Sequence, residues 1–486
     1  MKNQSFIYTL FNYIINIIIM SSEYVLCDLL KDYKIINDNI HGSITLSKLA
    51  NLIVDTPEFQ RLRYIKQLST CYFVFPNAVH TRFEHSLGTY QICKKMLYNL
   101  KKNSKKEELN VIKNIQELKS YFINKNNTTY MCDTDDFLDD FIIELIAIGA
   151  LCHDLGHGPF SHLFDDNFLK NKENIKEENK YHENRSCKIL DIIIKRNDTL
   201  NHFINQNEIN FISNIINPDP QIHKDYVYQI VSNSLNSIDV DKFDYLTRDS
   251  KMLNINISFD FTRLIESAMV INNVICYPKK VDSDIINLFQ TRHYLHKKVY
   301  SHKSVISSLL LIIELLENLD KLINFTQSVE KLDQFINYTD DYILNICRFI
   351  IHNKIYNLDY DKERIDRIKY VIECLDSHRF YPMIYSNYID PSSKDDKFYN
   401  ILFNKIDENN IVKFESVIGF ISGKKNNPLD SVYLYKSKDP YEKLQILTES
   451  ESARLLPNKY QEKLIMIFYK DTTNIDKIKE LRIKFN

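Results

Sequence analysis

The chain has 486 residues and a formal net charge of −2, and its hydrophobic and charged fractions, 44% and 26%, are those of a globular protein. This balanced charge excludes a protein that coats nucleic acid through a general basic excess, although it is compatible with a local basic pocket. Nine scattered cysteines without a Cys-x-x-Cys pair favour reduced thiols inside a cell over a disulfide framework. With only 7 Gly and 11 Pro, few residues break helices, so we expect a mainly α fold.

Residues 1–32 are expected to form an extension that precedes the main body. The apolar run at residues 6–19 is interrupted by Asn12 and Asn16 and is shorter than an ordinary membrane span. No clear cleavage site follows it, so we interpret this run as a non-targeting segment.

Helical patterns dominate from about residue 33 to residue 310. Apolar residues recur at helical spacing in 83–100, and residues 136–156 predict a strongly apolar helix that ends at Gly156. Further helices are predicted at 182–196, 222–250 and 283–322. The Lys- and Asn-rich stretch 101–128 has the composition of a solvated insertion, which we place at about residues 101–130.

The pattern changes near the C-terminus. Residues 410–421, 431–437 and 462–471 are β-branched and aromatic with partial alternation, which predicts strands, and the tail from Asn474 predicts a helix. We therefore divide the chain after the extension into a helical body at 33–310 and a helical segment with a small α+β lobe at 311–486.

One short stretch, ALCHDLGHGPFSHLFDD (150–166), contains three of the chain's 14 histidines and two of its seven glycines. His153 and Asp154 join an imidazole nitrogen to a carboxylate oxygen, a combination that suits a divalent transition metal. Further ligands are needed, and the candidates are His85 in HTRFEHS and Asp241 in SIDVDKFDY, each on its own predicted helix. Considered alone, His153–Asp154 has an alternative interpretation as a hydrogen-bonded core pair.

The stretch FQTRHYLHKKVYSHKS (289–304) places a cation, an imidazole and a phenol on one helix face, and a second cation follows near the same stripe. Such a row can grip an extended triphosphate and pack against a sugar, although a solvated basic face is the alternative. The residues are Arg292, His296, Tyr300 and Lys303.

The stretch DVDKFDYLTRD repeats this spacing with Asp241, Tyr245 and Asp249. One end of this second row supplies the candidate metal ligand, and the other end can accept hydrogen bonds from sugar hydroxyls.

The motifs RFEHSLG, CHDLGHGPFSH and DVDKFDY, in this order, resemble those of the HD-domain deoxynucleoside triphosphate triphosphohydrolases. Further similarity lies in KIINDNIHG (34–42), DTPEFQRLRYIKQL (55–68), NPLDSVYLY (427–435) and LLPNKYQEKLI (455–465). The resemblance extends from about Tyr33 to the C-terminus and is strongest to members that also carry a SAM domain, which nothing in this sequence matches. It implies an HD-domain helical bundle with a small α+β C-terminal lobe.

The resemblance also implies roles for the residues at matching positions. It makes His85, His153, Asp154 and Asp241 the ligands of an iron, manganese or zinc ion. It assigns proton handling around that ion to His157, His162, Asp165 and His182. It makes Arg82 and Lys242 phosphate contacts, and it makes Gln67 and Leu68 the residues that read the deoxyribose, for which ordinary helix and core packing is the alternative.

The implied reaction is hydrolysis of dNTPs, dGTP among them, to a deoxynucleoside and intact triphosphate, which would control dNTP pools. His162 and Asp165 are three residues apart, so a short helix would let the carboxylate tune the imidazole as a general acid. His182 would orient groups or relay protons, and Mg²⁺ would accompany the nucleotide.

The family resemblance further implies a homo-oligomer, a dimer or tetramer, that GTP or a dNTP activates. The residues that match the guanine-nucleotide site are Lys34, Ile35, Asp55, Gln60 and Arg63. In YEKLQILTESESARLLP (441–457), where the family has a basic run, Lys443 is the only cation before Arg454, so we expect the second activating site to be altered.

Two other functions compete with this interpretation. An HD phosphodiesterase acting on other nucleotides would share the metal ligands but would lack the triphosphate-gripping helix. A non-catalytic scaffold that senses nucleotides or binds nucleic acid would not need His162, Asp165 and His182. We expect an intracellular protein, in the nucleus or the cytoplasm, that has no membrane partner and whose binding to nucleic acid is an open question.

Overall fold

The computed structural model describes residues 26–127, 136–257, 259–353, 359–390, 410–419, 427–449 and 461–485. Residues 1–25 of the predicted extension, with its apolar run at 6–19, and Arg454 lie outside these ranges. The fold is mainly α with a small α+β lobe, as the sequence predicts.

Helices form most of the described chain. In chain order they are α1 Lys48–Val54, α2 Pro57–Gln60, α3 Arg82–Asn103, α4 Lys106–Leu109, α5 Lys119–Asn127, α6 Asp140–Cys152, α7 His182–Arg196, α8 Asp198–Phe203, α9 Gln206–Ile216, α10 Val240–Met252, α11 Thr262–Ser267, α12 Asp282–Leu295, α13 Lys303–Ile323, α14 Leu332–Phe335, α15 Asp340–Asn353, α16 Asp359–Asp376 and α17 Ile475–Phe485. Two π-helical turns, Leu163–Phe168 and His296–Tyr300, lie at the predicted site segments.

The nine strands found in the described ranges form three small sheets. The strands are β1 Asp32–Asp38, β2 Gly42–Ser47, β3 Met269–Ile271, β4 Val274–Pro278, β5 Met383–Ile389, β6 Ile411–Gly419, β7 Tyr433–Tyr435, β8 Gln445–Ile446 and β9 Gln461–Tyr469. Strands β1 and β2 make an antiparallel hairpin, and β5-β9-β6 is an antiparallel sheet with β9 in the centre. The third sheet, β3-β4-β7-β8, joins strands of the helical body to strands of the C-terminal lobe through a parallel β4–β7 pair.

Helix α6 is the centre of the body. It begins where the side chain of Asp139 accepts a hydrogen bond from the amide of Ile142 (3.0 Å), and its residues 141–152 are all buried. It packs against α3, α7 and α9, and α10 packs against α3. The metal-ligand motifs are therefore carried by α6, by α3 packed against it and by α10 packed against α3.

Three sequence predictions about helices need correction. The predicted helix at 222–250 begins only at Val240, because Asn233 accepts hydrogen bonds from the amides of Leu235 (3.0 Å) and Asn236 (3.3 Å) and so stabilises a turn instead. The predicted helix at 283–322 is two helices bent by 65° after the π-helical turn. The helix predicted at 136–156 spans only 140–152.

The expectation of a solvated stretch at 101–128 is wrong for its described part. Residues 106–127 form short helical elements that place most of their apolar side chains in the core, with Ile112 and Leu118 fully buried and Ile123 exposed. Lys and Asn occupy the outward positions, which is why composition alone misled. Whether the stretch is an insertion stays a prediction.

The strand predictions near the C-terminus are confirmed by β6, β7 and β9, and the helical tail by α17. In the part of the chain that the structure describes, no single helix has the length and apolar character of a membrane span, although the bent pair 279–300 and 303–323 passes that test jointly.

Candidate functional site

Two helices, and the turn that follows a third helix, bring the four predicted metal ligands together. His85 lies on α3, His153 and Asp154 directly follow α6, and Asp241 is in the first turn of α10. The Nε2 atom of His85 is 3.1 Å from Asp241 Oδ1, 3.2 Å from His153 Nε2 and 3.5 Å from Asp154 Oδ2. His153 Nε2 is 3.4 Å from Asp154 Oδ1 and 3.6 Å from Asp241 Oδ1.

The outer nitrogens of both imidazoles are hydrogen-bonded to groups that can only accept. His85 Nδ1 is 2.8 Å from Asp244 Oδ2, and His153 Nδ1 is 2.7 Å from the carbonyl oxygen of Ala150. Both Nδ1 atoms therefore carry hydrogen, which leaves the two Nε2 atoms to face each other as potential ligands.

This arrangement fits a divalent metal ion. Bonds of about 2.0–2.2 Å from nitrogen and oxygen to one ion place neighbouring donors roughly 3–3.5 Å apart, which is the range of spacing observed here. Two imidazoles and two carboxylates form a donor set for a transition metal. Although burial opposes the charged form, Asp241, Asp244 and Asp154 raise the pKa of His85 to about 10, which reflects the strongly negative potential that would attract a cation.

Arg82 lies beside this cluster and binds one of its carboxylates. Its Nη1 donates to Asp154 Oδ2 (2.6 Å), and its Nε donates to Ser161 Oγ (2.9 Å). Burial alone would raise the pKa of Asp154, but Arg82, His153 and His157 lower it well below its ordinary value. Asp154 is therefore held ionised, as a ligand must be.

A stack of histidines adjoins the metal cluster. The rings of His157 and His182 are parallel, with centroids 3.7 Å apart, and His162 contacts both edge-on. These three nitrogen-bearing side chains could also be taken for a metal site. Because stacked rings direct their in-plane lone pairs along parallel lines, His157 and His182 cannot both aim at one ion, so we do not assign a second metal there.

Asp165 contacts His182 rather than His162, which corrects the predicted pairing. Its Oδ2 accepts from His182 Nδ1 and from the His182 amide (both 2.9 Å), and its Oδ1 pairs with Arg185. Burial opposes protonation of His182, but Glu183 and Asp165 raise its pKa. The carboxylate nearest to His162 is Asp166, at 3.9 Å, and the ring of His162 is 63% exposed. The π-helical turn at 163–168 changes the spacing that the prediction assumed.

Gly156 lies in the turn that follows His153–Asp154, here called the HD turn, and it allows this packing. The amide of Gly156 donates to Ser186 Oγ (2.8 Å), and its carbonyl accepts from Arg185 Nε (2.8 Å), so the turn lies directly on α7. A Cβ at Gly156 would lie only 2.5 Å from the Ser186 nitrogen and nearer still to the His182 carbonyl oxygen. The absence of a side chain is what places His157 beneath His182.

A cavity of about 690 Å³ opens next to the metal cluster. Most of the predicted substrate residues line it: Gln67, Leu68, Arg82, Lys242, Tyr245, Asp249, Arg292, His296 and Tyr300. His162, Asp165 and His182 line it as well, and residues 416–419 of β6 close one side. This cavity thus lies between the metal cluster and the C-terminal lobe.

Lys303 is the predicted substrate residue that the structure does not bring to the cavity. It begins α13 after the break that follows the π-helical turn, and its side chain is exposed. The assumed continuous stripe from Arg292 to Lys303 therefore stops at Tyr300. The bend between α12 and α13 is the physical reason.

The cationic residues of the cavity already have partners. Lys242 Nζ lies 3.1 Å from Asp239 Oδ2, and Arg292 donates to the carbonyl oxygen of Gly419. Burial and the charges of Arg292 and His162 hold the pKa of His296 well below its ordinary value, so His296 is neutral.

At the opposite end, Asp249 accepts hydrogen bonds from two residues. Tyr300 donates its hydroxyl to Oδ2 (2.6 Å), and His80 Nε2 lies 2.8 Å from Oδ1. Burial and Asp249 raise the pKa of Tyr300 well above its ordinary value, so this phenol stays protonated. His80 was not predicted, although it stands in the quoted HTRFEHS motif.

The residues predicted for the activating nucleotide form two contact pairs. Lys34 Nζ lies 3.2 Å from Asp55 Oδ1, and Arg63 Nε donates to Gln60 Oε1 (2.8 Å). Ile35 is 73% exposed on β1. These groups lie outside the cavity, and their role stays a prediction.

The sequence reasoning also missed a buried ionic network behind His85, formed by Asp38, His41, Asp244 and Arg248. Asp244 and Arg248 lie in the quoted DVDKFDYLTRD motif, but on a different helix face from the stripe of Asp241, Tyr245 and Asp249. The sequence signal for this network was the Asp244–Arg248 pair, because an aspartate and an arginine at spacing i, i+4 can form an ion pair on one helix face.

Comparison with known proteins shows which family the chain belongs to. The HD domain model matches residues 82–249, which include all four metal-cluster residues and the histidine stack. The chain is 37% identical to an HD domain-containing protein of Acanthamoeba polyphaga mimivirus over 91% of this chain and 93% of the viral protein. It is 31% identical to the deoxynucleoside triphosphate triphosphohydrolase SAMHD1 homolog of Dictyostelium discoideum, over 92% of this chain and 79% of that protein, and 30% identical to human SAMHD1, over 90% and 70%.

The chain belongs to the HD-domain deoxynucleoside triphosphate triphosphohydrolase family.

Membership confirms the resemblance that the motifs indicated, and it gives the chain a metal-dependent hydrolase domain. The matched region contains the adjacent pair His153–Asp154 at the end of α6, where both side chains reach the cluster. A nucleotide is accordingly the class of substrate expected in the cavity.

Proposed function

We propose that this protein hydrolyses dNTPs, dGTP among them, to a deoxynucleoside and inorganic triphosphate. The observation that carries the proposal is the cavity itself, which joins the His85–His153–Asp154–Asp241 cluster to a wall of cations and hydroxyl-binding groups. Acting inside the cell, in the nucleus or the cytoplasm, such an enzyme would control dNTP pools.

The metal would be iron, manganese or zinc, held by His85, His153, Asp154 and Asp241. When bound, such an ion supplies Lewis-acid polarisation of a phosphate oxygen and activation of a water. Arg82, Lys242 and Arg292 would neutralise the phosphates, with Mg²⁺ accompanying the nucleotide. For Lys242 and Arg292 this requires the substrate to compete with Asp239 and the Gly419 carbonyl.

His162 would give a proton to the departing 5′-oxygen, because its exposed ring faces the cavity. His182, whose pKa Glu183 and Asp165 raise, would resupply that proton. His157 would keep the stack in place as a neutral ring, because burial, Arg82 and His182 hold its pKa well below its ordinary value. In this proposal Asp165 tunes His182 rather than His162.

Asp249 and Tyr300 would bind the sugar hydroxyl, and Tyr245 with Gln67 and Leu68 would pack against the deoxyribose. Close packing at Leu68 would disfavour a 2′-hydroxyl. Tyr300 is held protonated and Asp249 is already polarised by His80, so the pair presents a fixed hydrogen-bonding surface.

The proposed enzyme is a homo-oligomer, a dimer or tetramer, that GTP or a dNTP activates through Lys34, Ile35, Asp55, Gln60 and Arg63. Sedimentation velocity with and without GTP and dATP tests this regulation. A larger species and faster turnover are expected with nucleotide, and an active monomer that does not change would contradict the proposal.

Product analysis tests the reaction. The purified protein is incubated with Mn²⁺, Mg²⁺ and each dNTP, with and without GTP, and the products are resolved by ion exchange. Deoxynucleoside and triphosphate in equal amounts are expected. Turnover of other nucleotides without release of triphosphate from any dNTP would indicate a phosphodiesterase instead, and binding of single-stranded DNA or RNA without turnover would indicate a scaffold.

A further inference from the structure

The carboxylate of Asp244 is the meeting point of a buried network behind the metal cluster. It accepts from His85 Nδ1 (2.8 Å) and His41 Nε2 (2.6 Å), and from Arg248 Nε (2.8 Å) and Nη2 (2.9 Å). The side chains of these four residues are 0–3% exposed. Four donors on two oxygens leave the carboxylate little freedom to rotate, so the His85 ring that it holds is fixed as well.

Arg248 extends this network to the β1–β2 hairpin. Its Nη1 donates to Asp38 Oδ2 (2.8 Å) at the end of β1. The other oxygen of Asp38 accepts from the amides of Ile40 (2.8 Å) and His41 (2.9 Å), which closes the hairpin turn. Both Asp38 and His41 therefore belong to the turn and to the network that ends on His85.

A glycine in the middle of α3 makes room for the network. Gly88 lies one turn after His85, and a Cβ at this position would lie 2.7 Å from Arg248 Nη2 and nearer still to Asp244 Oδ1. Glycine in a helix interior costs stability relative to alanine. The chain has only seven glycines, and Gly88 lies where the absence of a side chain lets Asp244 reach His85 and lets Arg248 pair with Asp244.

We infer that Asp38, His41, Arg248 and Asp244, here called the hairpin relay, position His85 as a metal ligand and couple the β1–β2 turn to metal affinity. The relay rests on the metal cluster of the proposed function, although it does not depend on which nucleotide is hydrolysed. Its residues are positioning residues, since they act through His85. By linkage, whatever displaces the turn weakens metal binding, and metal binding in turn stabilises the hairpin.

The test compares Asp38→Asn with Glu144→Gln in the full chain. Asp38 does not contact any residue of the metal cluster. Its replacement by asparagine removes one of the two carboxylates that Arg248 binds, so that only Asp244 remains. Glu144 on α6 is another carboxylate of low side-chain exposure, 2% against 6% for Asp38. It contacts β2 and α3 through Ser47 (2.7 Å), Tyr90 (2.8 Å) and Lys94 (3.1 Å) without contacting His85. Glu144→Gln therefore reports the general cost of losing a buried carboxylate that ties the other strand of the hairpin to the helical body.

Co²⁺ affinity and the Co²⁺ absorption spectrum are measured by titration on metal-free protein, and hairpin amide exchange is measured with and without Co²⁺. We expect Asp38→Asn to weaken Co²⁺ binding about tenfold and to remove the protection that Co²⁺ gives residues 36–44, while Glu144→Gln leaves both unchanged. Gly88→Ala serves as a second variant, with the same expected weakening, should Asp38→Asn not fold.

Equal Co²⁺ affinity in wild type and in the folded relay variants would overturn the relay while leaving the proposed reaction intact. An equal loss in Glu144→Gln would overturn it too, because the effect would then be one of general packing. Failure of the wild-type chain to bind Co²⁺ would refute the metal cluster itself, and the proposed function with it. Normal Co²⁺ behaviour without dNTP turnover would refute only the proposed function.

Discussion

Replacing Gly156 by alanine is the sharpest test of how the HD turn positions the histidine stack. The new Cβ would lie 2.5 Å from the Ser186 nitrogen and 2.8 Å from Arg185 Cβ. Ordinary contact begins at 3.4 Å, so the N-terminal turn of α7 must retreat by at least 0.9 Å, the difference between 3.4 and 2.5 Å, and by more at the His182 carbonyl oxygen, which lies nearer still. Because the obstructing atoms belong largely to the backbone, no side-chain rotation relieves the overlap.

His182 begins α7, so this displacement moves its ring from His157, on which it stacks at 3.7 Å. We expect kcat to fall about 100-fold, since a misplacement near 1 Å can cost that much, and stability to fall by about 1–3 kcal/mol from overpacking. Triphosphate release at saturating dGTP measures the first effect, and urea unfolding measures the second.

Gly149→Ala is the matched control. Gly149 lies on α6, and its added Cβ would meet the Ile215 side chain at 2.7 Å rather than backbone. A similar loss of stability with kcat within about twofold of wild type is expected, because α9 and not α7 would adjust. A folded Gly156→Ala protein with wild-type kcat, or an equal loss of kcat in Gly149→Ala, would refute the reasoning.

Three further predictions follow from the site. Asp165→Asn removes a carboxylate that raises the pKa of His182, so the alkaline limb of the pH profile of kcat/KM should move to lower pH; an unmoved limb would exclude His182 as the proton source. Arg292→Ala should raise KM for dGTP about tenfold or more, whereas Lys303→Ala should leave it nearly unchanged, and the reverse order in steady-state kinetics would contradict the cavity assignment. Burial raises the pKa of Asp340 to about 6, above its ordinary 3.8, so this group contributes stability at low pH that is lost as pH rises through 6. The free energy of unfolding of wild type relative to Asp340→Asn should therefore fall by up to about 3 kcal/mol between pH 4 and pH 8, and a difference independent of pH would show that Asp340 does not titrate in this range.

The metal cluster could be predicted from sequence because each ligand stands in a short motif on its own helix. His85, His153, Asp154 and Asp241 need only that α3, α6 and α10 converge, and a long apolar α6 makes convergence on it the simplest way to bury that helix. The strands near the C-terminus could also be predicted from the sequence, since β-branched and aromatic residues alternate there.

Spacing rules failed where the backbone leaves the regular α-helix. The π-helical turn at Leu163–Phe168 directs Asp165 to His182, and the π-helical turn at His296–Tyr300 precedes the bend that removes Lys303 from the cavity. A counting rule of 3.6 residues per turn cannot anticipate either change.

The hairpin relay was missed for a different reason. Asp38 and His41 are far from Asp244 and Arg248 in sequence, and nothing in a single chain links them before the hairpin is folded against α10. The i, i+4 pair Asp244–Arg248 was the one sequence signal, but charged residues are usually placed at the surface, so the pair by itself did not indicate burial.

The most direct test of the proposed chemistry is the product formed from dGTP labelled on both the sugar and the γ-phosphate. With wild-type protein, Mn²⁺ and Mg²⁺, the two labels should appear in equal amounts as deoxyguanosine and inorganic triphosphate, and the His153→Ala, Asp154→Ala double variant should release neither. Label recovered in dGMP and pyrophosphate would contradict departure of the 5′-oxygen, and full turnover by the double variant would contradict a role for this metal cluster in the reaction.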